Sequence, residues 1–206
     1  MLLLDSFNTI LFPKTIDLMS SDDNKKKADA LEKMRVGYIL TSHMLVYLAM
    51  ICFPILVWFI PKYMPALSSM NMIALAALMN TNSYGYSNML IAQNKEHKAG
   101  FISAVSLIVN IILGLGLAKI LNVEYSYITI AILVAYMISS FLMAYEGDTI
   151  LRREKSVSYT LKHFFPIRMF IPYMIALIIS CTQIEYLIFI PLLAVSYTHL
   201  RAHETL

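Results

Sequence analysis

The chain has 206 residues, of which 59% are hydrophobic and 14% are charged, and its formal net charge at pH 7 is +3. Soluble domains carry about a quarter charged residues, so this composition excludes a water-soluble globular protein and predicts a chain surrounded mainly by lipid. Nearly all Lys and Arg fall between apolar segments, and with so small a net charge this distribution predicts no nucleic acid as a partner.

The N-terminal part of the chain is mixed in character. Met1–Phe12 (MLLLDSFNTILF) is apolar but short, and we interpret it as the end of a helix whose beginning is missing. A polar stretch follows at Pro13–Arg35. Its Ala, Leu, Glu and Lys content predicts a short surface helix near Lys27–Met34.

Six apolar segments follow, joined by short connections. A membrane-spanning helix needs roughly 20 predominantly apolar residues, and all but the last segment reach or approach that length. The segments are 36–60, 65–93, 100–121, 125–145, 164–181 and 183–195. The sequence therefore predicts an all-α polytopic membrane helix bundle, with about five full transmembrane helices and truncated helices at both ends.

The last segment stops after about half a span and is followed by the polar sequence VSYTHLRAHET at Val195–Thr205. This sequence resembles, residue for residue, one reading frame of a transposase-type sequencing adapter. We therefore expect residues 196–206 to be a non-native tail, and we exclude its His and Arg residues from the candidate sites. A natural polar tail is the alternative.

Basic residues alternate between the two sides of the predicted bundle. Twelve lie in the connections 13–35, 94–99 and 146–163, whereas the opposite set of connections holds only Lys62 and Lys119. Cytoplasmic connections are enriched in Lys and Arg. The sequence therefore predicts a multi-pass protein of the bacterial inner membrane with those three connections in the cytoplasm.

The second predicted span contains an unusual polar run, NTNSYGYSN, at Asn80–Asn88. Helical spacing predicts that Asn80, Tyr84 and Asn88 share one face. Polar groups at membrane depth are costly unless they are paired or face water. The face is therefore either a polar lining for a hydrophilic cargo or a set of interhelical hydrogen bonds, with Gly85 allowing a close approach.

Two further polar residues lie inside predicted spans. Asn110 stands alone among Ile, Leu and Val in the third span, where an amide serves either as an interhelical hydrogen-bonding group or as a ligand. Arg168 is the basic residue placed inside a span; it either extends to the headgroups or binds an anionic group in a cavity. His43, Tyr145 and Glu146 are weaker candidates of the same kind.

Signals for enzymatic chemistry are weak. The sequence shows no pair of carboxylates at membrane depth, no cluster of His, Cys and acidic residues with metal-ligand spacing, and no nucleophile elbow. We therefore predict a transporter rather than an enzyme, with no catalytic residues, no cofactor and no metal.

Two stretches resemble a known family. They are ILFPKTIDLMSSDDNKKKADALEKM at Ile10–Met34, with Phe-Pro at a helix end before a charged loop, and SNMLIAQNKEHKAGFISAVSLIVNIILGLGL at Ser87–Leu117, with a basic turn before a helix with a central Asn. Both resemble polysaccharide flippases of the Wzx type, in the exporter superfamily that also holds the multidrug MATE proteins. The likeness covers most of Ile10–Tyr145 and departs at Glu124–Thr129 (EYSYIT), where many members begin the next helix with Gly-Ala-Ala.

The resemblance implies a two-lobed protein of which this chain is most of the C-terminal lobe, with the missing N-terminal lobe and membrane lipids as partners. Its implied cargo is a polyprenyl-diphosphate-linked oligosaccharide, as in lipopolysaccharide O-antigen biosynthesis, moved to the periplasmic leaflet by alternating access. We expect a cargo cavity lined by Asn80, Tyr84, Asn88, Asn110 and Arg168. A MATE-like cation-coupled multidrug antiporter and a membrane enzyme of polysaccharide assembly are the alternatives.

Overall fold

A computed structural model of the chain describes residue 13 and residues 24–120, 125–152, 156–165, 167–182 and 187–204. Within these residues the fold is all-α, without a strand. The apolar segment Met1–Phe12 lies outside the described residues. The helices are α1 (Asn24–Phe59), a 3-10 helix (Pro61–Ala66), α2 (Leu67–Thr81), α3 (Tyr86–Ala92), α4 (Glu96–Lys119), α5 (Tyr125–Ile128), α6 (Ile130–Arg152), α7 (Val157–His163), α8 (Ile167–Thr182) and α9 (Phe189–Glu204).

Three described helices are long and apolar enough to cross a membrane: Leu31–Phe59, Glu96–Lys119 and Ile130–Ile150, with mean hydropathies of 2.0, 2.3 and 1.6. They confirm the prediction of an all-α membrane bundle. The second and fifth predicted spans are shorter than expected. α2 has 15 residues, or roughly 22 Å at the α-helical rise, and the apolar part of α8 covers only Met169–Thr182.

The predicted surface helix and the first predicted span are one continuous helix, α1. Nothing between Lys27 and Val36 interrupts the helical pattern, since the segment contains neither Pro nor a helix-ending turn sequence. Pro54 lies inside α1 without ending it, as membrane helices allow. The helix ends at Phe59, just before Pro61 opens the 3-10 helix.

α6 is the central helix, packed against α2, α3 and α4. Its contact with α4 uses small residues, as is typical of membrane helix interfaces. Ser106 Oγ donates a hydrogen bond to the main-chain oxygen of Ala135 at 2.9 Å. Gly114 faces Ala131, whose Cβ would be 3.9 Å from a Cβ placed at the glycine. The two backbones therefore approach closely.

The larger apolar core lies between α1, α2, α8 and α9, and its fully buried members include Ile39, Tyr47, Leu75 and Val195. Val195 belongs to α9, which packs against α1 and α8. α9 continues as a helix to Glu204, through most of the sequence that resembles an adapter. The expectation of a non-native tail at 196–206 stays a prediction.

The three basic connections meet at one end of the bundle. Lys98, at the start of α4, forms an ion pair of 2.5 Å with Glu146 near the end of α6. Arg35, at the same end of α1, contacts the main chain of His163 at the end of α7. This end of the molecule holds the candidate site.

Candidate functional site

The second predicted span is interrupted by a turn over residues 82–85, between the end of α2 at Thr81 and the start of α3 at Tyr86. The main-chain N–H groups of Asn82, Ser83 and Tyr84 bond three residues back, at 3.3, 3.1 and 3.0 Å. This is 3-10 rather than α-helical geometry. The span predicted as one helix over 65–93 is therefore two helices.

The residue types in the turn explain the break. Thr81 Oγ1 donates to the oxygen of Leu78 at 2.7 Å, and Ser83 Oγ donates to that of Asn80 at 2.7 Å. Short polar side chains that bond nearby carbonyls in this way compete with a continuing helix. Gly85 then has a φ of +82°, a left-handed conformation in which glycine alone carries no Cβ penalty.

The break removes the single polar face that helical spacing predicted for Asn80, Tyr84 and Asn88. Asn80 is exposed near the end of α2, Tyr84 is buried in the turn, and Asn88 is buried on α3. Tyr84 stacks on Tyr38 of α1 with ring centroids 3.9 Å apart. The three residues therefore occupy three different elements.

Arg35 of α1 lies beside the break, and its side chain is fully buried. Its Nε donates to the main-chain oxygen of Asn82 at 3.4 Å. One terminal nitrogen donates to the oxygens of His163, at 2.9 Å, and Phe164, and the other pairs with Glu32 at 3.0 Å. A guanidinium presents several donors in a fixed fork. Arg35 therefore ties the broken span to the carbonyl end of α7.

A buried acid lies across Tyr86 from Arg35. The Cζ of Arg35 is 5.0 Å from the centroid of the Tyr86 ring, within the range of a cation–π contact. Tyr86 Oη donates to Asp148 Oδ1 at 3.2 Å, and Thr160 Oγ1 donates to Oδ2 at 3.0 Å. Asp148 is 7% exposed. We call Arg35, Asn82, Tyr86, Asp148 and Thr160 the buried polar network.

One amide oxygen in this network has no hydrogen-bond partner among the described residues. Asn82 is fully buried, and its Nδ2 lies 3.4 Å from the oxygens of Leu78 and Met79. Its Oδ1 makes no hydrogen bond within the described part of the chain. A buried polar atom without a partner is costly, so this oxygen is available to a water molecule or to a ligand.

His43 lies deeper in α1 and is fully buried. Its Nδ1 is 3.0 Å from Tyr47 Oη, one turn along the same helix, and the rings of Phe165 and Tyr173 lie edge-on at 6.1 and 6.4 Å. Its Nε2 has no hydrogen-bond partner among the described residues. His43 therefore packs in an aromatic cluster and does not extend toward the headgroups.

The remaining sequence candidates are dispersed. Asn110 is half-buried on α4, and Tyr145 accepts a hydrogen bond from Thr149 Oγ1 at 2.8 Å through its main-chain oxygen. Glu146 pairs with Lys98. Arg168 belongs to α8, and its side chain lies outside the described part of the structure. The role of the predicted lining residues in binding cargo stays a prediction.

Two of the cavities at the border of the bundle are lined by described residues, and neither of these two is lined by the predicted site residues. One, of about 340 Å³, lies between α6 and α7 against Met137, Phe141 and Phe164. The other, of about 300 Å³, lies between α1 and α2 against Phe53 and Ile73. Both are mainly apolar and suit hydrocarbon rather than sugar. The described residues hold no group of three His, Cys, Asp or Glu that could bind a metal ion.

Sequence reasoning did not select Arg35 or Asp148, because both fall in stretches that were read as loops. A signal was nevertheless present. Leu31, Arg35 and Tyr38 are spaced i, i+4 and i+7, so they share one helix face. That face packs on the broken span. Arg35 donates a hydrogen bond to the main-chain oxygen of Asn82, and a Cβ added at Gly85 would lie 2.7 Å from Cδ1 of Leu31.

No protein-family model, no curated protein and no solved structure matches the chain.

Proposed function

We propose that the chain is part of a flippase that moves a polyprenyl-diphosphate-linked oligosaccharide across the bacterial inner membrane during surface polysaccharide biosynthesis. One observation carries the proposal: the break at residues 82–85, which puts main-chain and amide groups inside an otherwise apolar segment. Non-helical backbone is tolerated at membrane depth only where it is buried in protein or lines a water-filled cavity.

Broken membrane helices suit this task because they supply polar groups without charged side chains. Transporters commonly build their substrate sites from such discontinuous helices. The sugar part of the cargo needs hydrogen-bonding groups, and the unpartnered Oδ1 of Asn82 is one. Asn88 on α3 supplies a second amide next to the break.

The diphosphate part of the cargo needs positive charge. Arg35 supplies a cation beside the break, although in this conformation its donors are occupied by main-chain oxygens and Glu32. We assign Arg35 a positioning role that keeps the break in place. Arg168, which the sequence places inside a predicted span, is the candidate for contact with the diphosphate.

The orientation and the partner lobe belong to the same proposal. The connections 13–35, 94–99 and 146–163 face the cytoplasm under the positive-inside rule, so cargo enters at the end that holds the buried polar network. Alternating access needs a second lobe that moves against this one, and a missing N-terminal lobe would provide it.

One observation favours a second candidate, a cation-coupled antiporter of the MATE-like class. Asp148 is a buried carboxylate whose two oxygens accept hydrogen bonds from hydroxyl groups, and no described Lys or Arg forms an ion pair with it. Acidic residues inside membrane bundles mark proton and cation pathways. The surrounding contacts are those of a structural hydrogen-bond network as well, so we place this candidate second.

The test uses the complete gene in a strain that lacks it. We expect the null strain to accumulate polyprenyl-diphosphate-linked oligosaccharide on the cytoplasmic side, and the wild-type gene to relieve this. The double variant Asn88→Ala with Arg168→Ala should fail to relieve it, whereas Ile112→Ala, on the exposed face of α4, should succeed. Normal levels of lipid-linked intermediates with altered drug or cation sensitivity would transfer the assignment to the antiporter.

A further inference from the structure

α7 is a short helix that contacts the buried polar network. It begins after Ser156, whose backbone is extended and whose side chain caps the helix by accepting a hydrogen bond from the Tyr159 N–H at 3.3 Å. α7 is therefore a separate helix and not a continuation of α6. Among the side chains of α7 that the structure describes, Thr160 is the only buried one, whereas Val157 and Leu161 are exposed.

Hydrogen bonds attach α7 to the network. Thr160 Oγ1 donates to Asp148 Oδ2 at 3.0 Å. Arg35 donates to the main-chain oxygen of His163 at 2.9 Å and to that of Phe164. The last carbonyls of a helix receive no donor from the helix itself. Water or a ligand can take over such bonds at small net cost, because one hydrogen bond is exchanged for another.

The apolar packing of α7 on α6 is incomplete. A cavity of about 340 Å³ lies between the two helices, with Leu161 and Phe164 on one side and Met137 and Phe141 on the other. Segments with few buried apolar contacts open at low free energy, and the lids of binding sites belong to this class. α7 is therefore suited to separate from α6 without unfolding of the bundle.

The groups behind α7 suit a polar ligand. Arg35 is fully buried, and one of its terminal nitrogens is occupied by the oxygens of His163 and Phe164. Separation of α7 would free this nitrogen beside the turn at Asn82, whose Oδ1 has no hydrogen-bond partner within the described part of the chain. A guanidinium binds phosphate oxygens, and an amide oxygen accepts hydrogen bonds from sugar hydroxyls.

We propose that α7 is a gate at the cytoplasmic end of the bundle, closed in this structure by Thr160 and Arg35, and that its opening admits a phosphorylated, hydroxyl-rich headgroup to the break at residues 82–85. The inference rests on the proposed function, because the gate serves a cargo that enters from the cytoplasm. Opening exchanges two main-chain oxygens at Arg35 for oxygens of water or of the headgroup. The Nε of Arg35 stays on Asn82, so the break keeps its position.

Cysteine accessibility in inverted vesicles tests whether α7 opens. The complete protein, with its native cysteines replaced by Ala, carries Thr160→Cys or one of two controls. These are Ser158→Cys, exposed on α7, and Ala144→Cys, fully buried on α6 one turn before Asp148. A membrane-impermeant maleimide should label Thr160→Cys roughly tenfold more slowly than Ser158→Cys and roughly tenfold faster than Ala144→Cys.

Either extreme of this comparison would overturn the proposal. Labelling of Thr160→Cys as slow as that of Ala144→Cys would show that α7 opens only with the whole bundle. Labelling as fast as that of Ser158→Cys would show that α7 is not closed. Amide hydrogen exchange of the unsubstituted protein gives the same comparison without a cysteine, because the N–H of Thr160 should exchange faster than that of Ala144. Equal exchange would also overturn the proposal.

Arg35→Lys in the Thr160→Cys background tests the closing contact. An ammonium cannot reach all the oxygens that the guanidinium contacts, so the loss of one hydrogen bond should raise the labelling rate by about fivefold. The rate for Ala144→Cys should change little. An unchanged rate for Thr160→Cys, or an equal rise at both positions, would overturn the proposal.

The accumulation of lipid-linked oligosaccharide in the null strain separates this inference from the proposed function. If the Thr160→Cys protein relieves the accumulation but is labelled no faster than Ala144→Cys, the gate is wrong and the flippase stands. If α7 opens as expected in a protein whose unsubstituted form does not relieve the accumulation, the gate is supported and the flippase is wrong.

Discussion

Arg35 donates a hydrogen bond from Nε to the main-chain oxygen of Asn82 at 3.4 Å, although 47 residues separate them in the chain. The same side chain reaches the main-chain oxygen of His163, 128 residues away. Each of these carbonyls lies at the end of a helix or in a turn, where the helix itself supplies no donor. One guanidinium therefore supplies hydrogen-bond donors to main-chain oxygens at two separate places in the backbone.

Replacement of Arg35 should destabilise the fold. Arg35→Leu keeps much of the volume but leaves the oxygens of Asn82, His163 and Phe164 without their donor, so we expect a loss of about 3 kcal/mol in the free energy of unfolding. Arg35→Lys should lower the free energy of unfolding by less than Arg35→Leu does, because the ammonium keeps the charge. It should still be destabilising, because an ammonium cannot reach all three oxygens. Unfolding in mixed detergent micelles, followed by circular dichroism, measures both.

The control for Arg35 is Lys33, an exposed cation on the same helix. Lys33→Leu should change the free energy of unfolding by about 0.5 kcal/mol or less. If Arg35→Leu were no more destabilising than Lys33→Leu, the hydrogen bonds from the guanidinium to these main-chain oxygens would not stabilise the fold.

The Tyr86 ring occupies the space beside Gly147 that a larger side chain at this position would fill. A Cβ at Gly147 would overlap Cδ1 of Tyr86 and lie 3.0 Å from its Cγ, so Gly147→Ala must displace the ring. We expect a cost of about 2 kcal/mol from overpacking, together with a weakened contact between Tyr86 and Asp148. The intrinsic fluorescence of the chain and its unfolding curve report the change.

Gly116→Ala is the matched control, because a Cβ at Gly116 has nothing within 4 Å. Alanine is the better helix former by about 1 kcal/mol, so this variant should be neutral or slightly stabilising. If Gly147→Ala and Gly116→Ala lowered the free energy of unfolding equally, the cause would be a change in the helical backbone and not displacement of the Tyr86 ring.

Tyr86 and Asp148 should be energetically coupled. The Tyr86 hydroxyl donates to the carboxylate at 3.2 Å inside the protein, and a hydrogen bond to a charged group contributes about 2 kcal/mol. A double-mutant cycle with Tyr86→Phe and Asp148→Ala isolates this term, because alanine has no acceptor. A coupling free energy near zero would contradict the bond. Thr160→Val, which removes the other hydroxyl donor, should couple to Asp148→Ala in the same way.

The sequence predicts the parts of this fold that depend on local composition. Long apolar runs without charge predict the three membrane-length helices. The distribution of Lys and Arg predicts which connections lie at the same end of the bundle. The buried polar network depends on contacts between distant residues, such as the 62 positions that separate Tyr86 from Asp148. The local spacing places Arg35 on the helix face of Leu31 and Tyr38, but the burial of Arg35 depends on α3 and α7 packing against that face.

The break in the second span is an intermediate case. The run of Thr, Asn and Ser before Gly85 is a turn signal, but in a membrane segment the apolar residues on both sides suggest a continuous helix. The structure resolves the conflict in favour of the turn, because Thr81 and Ser83 bond the preceding carbonyls and Arg35 takes the oxygen of Asn82. The turn residues therefore break the helix only together with Arg35, which is distant in the sequence.

The orientation of the chain can be tested at both ends of the bundle. Cys52 and Cys181 are first replaced by Ala, and single cysteines are placed at three exposed positions by Glu96→Cys, Val157→Cys and Lys62→Cys. Because cytoplasmic connections are enriched in Lys and Arg, a membrane-impermeant maleimide should label the first two only in inverted vesicles and the third only in right-side-out vesicles. The ion pair between Lys98 and Glu146 requires the connections near 96 and 157 to lie on the same side. Opposite labelling of those two cysteines would contradict the fold, whereas joint labelling from the periplasmic side would contradict only the orientation.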